Sequence, residues 1–310
     1  MKILINEEYA GLTIKEWLYK NHISRGLITH LKKRADGITV NGEHVTVRYV
    51  LKIGDTLSIA ADDRREDENE LLVPTKMELD ILYEDEDIVA VNKPFGMATH
   101  PSLGHFEDTL ANGLAYYYSS RGIPFVFRAV NRLDRDTSGV VLVAKNRIAA
   151  ANLTTLMQSG KIRKQYIAVL NGKIEPSEGE INAPIKRQEG TILLREVCCD
   201  GADGSKPALT VYKTLLRGSD ASVVQAEPVT GRTHQLRVHF AHMGCPIVGD
   251  GFYGTAETTP TEHDKRMTRQ ALHASSLKID FGDRVLNITA DLPCDMAELK
   301  SFIEGTCTRD

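Results

Sequence analysis

The alternation of apolar and polar positions divides the chain into two unequal parts. Near the start, Thr13-x-x-Glu16 has the form of a capping box, and Ile14, Trp17 and Leu18 follow at helical spacing. A second short helix is predicted where Ser24 precedes Leu27, Ile28 and Leu31. After Gly37 the alternation Ile38-Thr39-Val40 reads as a strand entering a tight turn at Asn41-Gly42, and LKIGDTLSI reads as another turn and strand. These pieces make residues 1–60 a small α+β domain.

Beyond residue 71 the apolar runs lengthen. Residues 88–91 form a buried-type strand stopped by Pro94-Phe95-Gly96, and residues 140–144 form another. Residues 149–159 are predicted helical, with Leu153, Leu156 and Met157 on one side and Gly160 placed to end the helix. Residues 166–170 and 221–226 are further strands. The segment has no nucleotide-binding glycine fingerprint and no internal repeat. The expectation for residues 71–310 is an α+β body with a mixed, largely antiparallel sheet, joined to the small domain by a linker at residues 61–70.

Composition narrows the class. With 42% hydrophobic and 26% charged residues the chain can bury an ordinary core. It has no run of the roughly 18 apolar residues that a membrane helix needs. The start, MKILINEEYA, reaches acidic residues before a signal-peptide apolar region can form, so a cytoplasmic protein is expected, with a monomer as the default state. The five cysteines show no C-x-x-C spacing and are read as reduced thiols, without a disulfide framework or zinc ribbon. His234, His239 and His242 lack the H-E-x-x-H arrangement, so no metal is expected there, and they are read as packing or RNA-facing side chains.

Charge is distributed unevenly behind a formal net value of −4. From Lys15 to Arg34 the segment carries Lys15, Lys20, Arg25, Lys32, Lys33 and Arg34 against Glu16 alone, whereas residues 62–70 are mostly acidic. A basic module on an acidic tether suggests a domain that grips nucleic acid through phosphates.

The densest chemistry is NRLDRDTSG at residues 131–139: two arginines, two aspartates, two hydroxyls and a terminal glycine ahead of a strand. A rigid strand can hold one side chain in place while the loop surrounds it with polar groups. The residues alone leave two readings open, a catalytic loop or a polar turn in which Asp134 or Asp136 caps the backbone.

The loop resembles the signature of the RluA-type pseudouridine synthases, in which His-Arg-Leu-Asp is followed by a variable pair and then Thr-Ser-Gly; here Asn131 stands where many members have His. Three more segments carry the resemblance: VNKPFGMATHPS at residues 91–102, KQYIAVLNG from Lys164, and GRTHQLRVHFAHMGCPIVGD from Gly231 followed by GFYG at residues 251–254. Ser24-Arg25, Val40-Asn41-Gly42 and Gly54-Asp55 resemble the pattern of the S4-type RNA-binding domain.

The resemblance implies an enzyme that isomerises uridine to pseudouridine in structured RNA with no cofactor. It implies Asp134 as the catalytic carboxylate and Arg237 as the cation beside it; a desolvated carboxylate tends to take up a proton, so a permanent charge nearby is useful. Tyr166 is implied beside the base. Arg132 is implied as filling or supporting the stack vacated by a flipped uridine, with Arg135 on a phosphate. Asn131, Lys93 and His100 are assigned to RNA contact, as are Arg25, Lys32 and Lys33 of the N-terminal module. Ribosomal RNA of the large subunit is favoured over transfer RNA by that module. Rival readings are a non-catalytic RNA-binding or ribosome-assembly protein, and a base-releasing glycosidase using Asp136 as its second carboxylate.

Overall fold

The computed structural model describes every residue except 22, 24, 61–71, 255–259 and 308–310. Ser24 and the acidic stretch 62–70 therefore lie outside the described residues.

The N-terminal part comprises β1 (Lys2–Leu4), α1 (Ile14–Lys20), α2 (Arg25–Leu31), β2 (Ile38–Val40), β3 (Glu43–His44) and β4 (Thr56–Ile59), with an antiparallel sheet in the order β1-β4-β2-β3. The capping box forms as the sequence implies: the Thr13 amide donates to Glu16 Oε2 at 2.8 Å, and the Glu16 amide to Thr13 Oγ1 at 3.2 Å. Trp17, Leu18, Leu27, Ile28 and Leu31 from the helices meet Ile38, Val40, Leu57 and Ile59 from the sheet in one core. Asn41 and Gly42 both take positive φ, 53° and 89°, which is what a two-residue hairpin turn demands. The Asn41 side chain donates to Asp55 Oδ1 at 2.9 Å and accepts from the Thr56 amide at 2.8 Å. Two short motifs separated along the sequence thus close on each other.

The remainder contains β5 (Asp80–Glu84), β6 (Ile88–Lys93), α3 (Leu110–Ser119), β7 (Arg128–Ala129), β8 (Ser138–Ala144), α4 (Arg147–Gln158), β9 (Ile162–Asn171), β10 (Glu178–Asn182), β11 (Ile185–Arg187), β12 (Arg195–Val197), β13 (Leu209–Arg217), β14 (Ala221–Pro228), α5 (Gln235–His242), β15 (Leu272–Asp280), β16 (Val285–Thr289) and α6 (Cys294–Cys307). Ten of these strands form a single sheet in the order β10-β13-β14-β9-β15-β8-β6-β5, with β16 added to β15 and β7 to β8. Its β8–β15 pairing is parallel and its other pairings are antiparallel, so the sheet is mixed and largely antiparallel, as expected. β11 and β12 form a separate hairpin.

The continuous apolar runs arise because β6 and β8, both interior strands, are covered on both faces. In β6 and β8, Val89, Val91, Val141 and Val143 join Leu110, Leu114 and Tyr118 of α3 in the main core. Their neighbours Ile88, Ala90, Val140 and Leu142 point the other way, to Ala149 and Leu153 of α4 and Ile288 of β16. α4 begins two residues before the expected start because Asn146 caps it, accepting from the Ala149 amide at 2.8 Å. Its end at Gly160 matches the prediction, with the Lys161 amide bonded to the Leu156 carbonyl.

Candidate active site

The NRLDRDTSG loop leaves the short strand β7 and enters β8, an interior strand between β15 and β6, and several side chains fix its path. The Asn131 amide extends the ladder on β8, donating to the Val140 carbonyl at 3.0 Å and accepting from the Leu142 amide at 2.8 Å. Thr99 Oγ1 donates to the Leu133 carbonyl at 2.9 Å, Lys93 Nζ to the Arg135 carbonyl at 3.0 Å and Arg269 Nη1 to the Asp136 carbonyl at 3.1 Å. The loop's terminal glycine is a steric requirement: Gly139 has φ 112°, and a Cβ there would overlap the Ala274 carbonyl of β15 where the two strands pair in parallel. Held this way, the loop presents Asp134 at the surface with its side chain 30% exposed.

Arg237, on the buried face of α5, reaches Asp134 from the opposite side. Its Nη1 donates to Asp134 Oδ2 at 3.0 Å, while Nε and Nη2 donate to the two oxygens of Asp250 at 2.7 and 2.8 Å. Burial works against the guanidinium charge, but the hydrogen bond and charge of Asp250, followed by the charge of Asp134, outweigh it and raise the pKa above its ordinary value. The rings of Phe252 and Tyr253 each lie 5.2 Å from the guanidinium carbon, and their amides donate to Asp250 Oδ1. The GFYG segment therefore wraps the ion pair that its preceding aspartate makes.

His234 stands at the start of α5 in the left-handed conformation, φ 57°. Its Nδ1 lies 2.8 Å from the Tyr253 hydroxyl, and its Nε2 lies 3.8 Å from Asp134 Oδ2. Burial lowers its pKa against the pull of Asp134, and Arg237 lowers it further. The other two histidines diverge from it. His239 is fully buried, bonded to Thr210 Oγ1 and the Ala183 carbonyl, while His242 is exposed. Among the described residues no group of His, Cys, Asp or Glu is arranged to hold a metal.

A cleft of about 860 Å³ opens above Asp134. Tyr166, from β9, lines it with a nearly buried ring, and burial together with the charge of Asp134 raises its pKa, so the phenol keeps its proton. Its hydroxyl has no hydrogen-bond partner among the described residues. Arg132, Lys164 and Arg232 also line the cleft, giving it a cationic wall.

The structure thus brings Asn131, Arg132, Asp134, Tyr166 and Arg237 to one cleft. Two assignments to RNA contact do not fit their positions. Lys93 is fully buried, its three ammonium protons taken by the carbonyls of Pro94, Met97 and Arg135; burial pushes its pKa down to about 7, against the charges of Asp136 and Asp134. Asn131 is buried at 7% exposure and both ends of its amide are spent on β8. Each braces the loop from beneath. His100 is half-buried edge-on to Phe127, and Arg135 is exposed but paired with Asp136 at 3.1 Å. Arg25, Lys32 and Lys33 are exposed at α2 and the turn after it, away from the cleft lining. Asp250, which holds Arg237, had no role assigned from sequence.

Residues 87–242 match the RNA pseudouridylate synthase family. The uncharacterized RNA pseudouridine synthases YlyB and YjbO of Bacillus subtilis are 39% and 37% identical to this chain; the first alignment covers 96% of each chain, the second 93% of this chain and 98% of its relative. Ribosomal large subunit pseudouridine synthase D of Yersinia pestis is 33% identical over 96% of this chain and 88% of its own. Among solved structures, human RNA pseudouridylate synthase domain containing 1 superposes with a TM-score of 0.57 at 29% identity, covering 75% of this chain and 97% of that one. The chain belongs to the RNA pseudouridylate synthase family. It is an RNA-modifying isomerase of the RluA type, whose motifs occupy the cleft just described.

Proposed function

We propose that this enzyme converts uridines of large-subunit ribosomal RNA to pseudouridine, with Asp134 as the catalytic carboxylate. The reaction breaks the bond between C1′ of ribose and N1 of uracil, turns the base, and joins C1′ to C5; the C5 hydrogen leaves as a proton and N1 gains one. One observation carries the assignment: Asp134 is the carboxylate at the mouth of the cleft, oriented by a cation that a second carboxylate holds from behind. Such a group can add to the uracil ring or act at the sugar as the base departs. Tyr166 offers a face on which uracil stacks, and its retained proton suits hydrogen-bond donation better than removal of the C5 proton. Exposed Arg132, next to Leu133 and Asp134, is placed to support the stack that the flipped nucleotide leaves.

The ribosomal target rests on the relatives that bear the name large subunit pseudouridine synthase D, 33% identical in Yersinia pestis and 32% in Haemophilus ducreyi. Residues 1–60 are proposed as an S4-type RNA-binding domain, with Arg25, Lys32 and Lys33 on phosphates. The synthase domain would then span residues 71–310, with 61–70 as its linker.

The test is tritium release from C5-labelled uridine in ribosomal and transfer RNA taken from a strain lacking the enzyme. Release from ribosomal RNA, abolished by Asp134→Asn while RNA binding persists, is the expected result. Release confined to transfer RNA would overturn the target, and undiminished release by Asp134→Asn would overturn the catalytic assignment.

A further inference from the structure

His234 occupies a position that its local structure does not explain. It takes the left-handed conformation, φ 57°, at the N-cap of α5, yet its side chain makes no capping hydrogen bond. Backbone strain at a residue other than glycine gathers where a side chain has to be aimed, and this side chain lines the catalytic cleft. We propose that His234 is a further catalytic residue, whose Nε2–H donates a hydrogen bond to the uracil carbonyl beside the bond that breaks, and to the carbonyl that takes its place once the base has turned. The proposal rests on pseudouridine formation in this cleft and is independent of which RNA supplies the uridine.

The neighbours of the imidazole settle which ring nitrogen carries the proton. The Tyr253 hydroxyl oxygen accepts from the Arg195 amide at 3.0 Å and lies 2.8 Å from His234 Nδ1. Burial raises the Tyr253 pKa, so the phenol keeps its proton, and Nδ1 is the acceptor within its reach among the described residues. The proton of the neutral imidazole then sits on Nε2. That nitrogen faces Asp134 Oδ2 at 3.8 Å, too far to bond, so its N–H is unspent among the described residues. Burial, with Arg237 and then Arg195, holds the ring neutral against the pull of Asp134 and Asp250.

The reaction needs such a donor twice. As the bond from C1′ to N1 breaks, its electron pair stays on uracil and spreads from N1 to the oxygen on C2. A half-turn of the base about the line through N3 and C6 exchanges N1 with C5, and the C2 carbonyl with the C4 carbonyl. One fixed N–H beside Asp134 can therefore hold the departing base and receive it again in the position from which C5 joins C1′. His234 gives up no proton in these steps.

Asn and Gln separate the two ring nitrogens, because an Asn amide reaches the place of Nδ1 and a Gln amide that of Nε2. Asn is also among the residues best suited to a left-handed backbone. Tritium release would be followed on total C5-labelled RNA from a strain lacking the enzyme, with the half-saturating RNA concentration and the thermal midpoint of each variant. His234→Asn should release tritium about 100-fold more slowly at saturating RNA, with half-saturation changed less than about two-fold and the midpoint not lowered, while His234→Gln stays within about ten-fold of the unaltered enzyme. Full turnover by His234→Asn would make His234 a structural residue and overturn the proposal, whatever the Gln variant does. Equal loss in two folded variants would overturn it as well, since Gln supplies the hydrogen bond but cannot pass a proton as a histidine does. Release confined to transfer RNA would overturn the ribosomal target and leave the comparison of the two variants intact.

Discussion

Asp250 holds Arg237 with two hydrogen bonds, of 2.7 and 2.8 Å, and so directs the guanidinium's remaining Nη1 at Asp134, 3.0 Å away. Asp250 is fully buried and Arg237 is 5% exposed, so the pair sits where an imperfectly matched charge is costly. The catalytic carboxylate proposed here is thus positioned by a group that the substrate does not reach.

Replacing Asp250 with Asn tests this directly. The amide keeps the volume but cannot accept both guanidinium bonds, so Arg237 is left to reorient and its charge is left with Asp134 alone. We expect kcat to fall on the order of 10²-fold with RNA affinity unchanged, and stability to fall by roughly 3 kcal/mol. Single-turnover tritium release, RNA binding and urea denaturation measure the three quantities. A loss of RNA affinity matching the loss of rate would show that Asp250 supports the RNA surface and does not position Asp134.

Gly139 is the second position where the fold dictates the site. An alanine would need φ near 112° and would drive its methyl into the Ala274 carbonyl, so β8 and β15 would have to separate at their parallel pairing. Gly139→Ala should destabilise the enzyme by about 3 kcal/mol or more, seen as a lower urea midpoint. Asp134 lies five residues upstream on the same loop, so the protein that remains folded should also turn over more slowly. A variant of unchanged stability would mean that β15 yields easily there.

The two kinds of legibility in this sequence have different physical origins. Strands 88–91 and 140–144 were readable because a strand covered on both faces is apolar at every position, and α1 and α4 because their ends carry capping groups or a stop signal. The site was readable through motif order, which brought Asp134, Arg237 and Tyr166 to notice. Asp250 was missed because nothing in a spacing of thirteen residues says that a turn will fold back onto a helix. Lys93 was misread for a different reason. A lysine beside a catalytic loop suggests a phosphate contact, yet the strand's period of two places residue 93 on the same face as Val89 and Val91, and that face is the main core. Asn131 deceived similarly, since a polar side chain at the cleft can be consumed by the backbone that builds it.

That buried position makes Lys93 the source of a pH dependence whose sign can be worked out. Its pKa falls from 10.5 to about 7 on folding, chiefly through burial. Between those values the unfolded chain holds a proton that the folded protein has released, so the unfolded state binds more protons and stability rises with pH across the window. Below about pH 7 both states carry the charge and the burial penalty is felt in full. Lys93→Met removes the titration, along with the three bonds to the Pro94, Met97 and Arg135 carbonyls. The unaltered enzyme should therefore gain stability relative to Lys93→Met as pH rises from 7 toward 10, by a few kcal/mol at most, roughly. Urea midpoints of both proteins at pH 6.5, 8 and 9.5 measure the difference. A gap that stays constant would mean that the three carbonyls keep the ammonium charged throughout, and that Lys93 braces the Asp134 loop as a permanent cation.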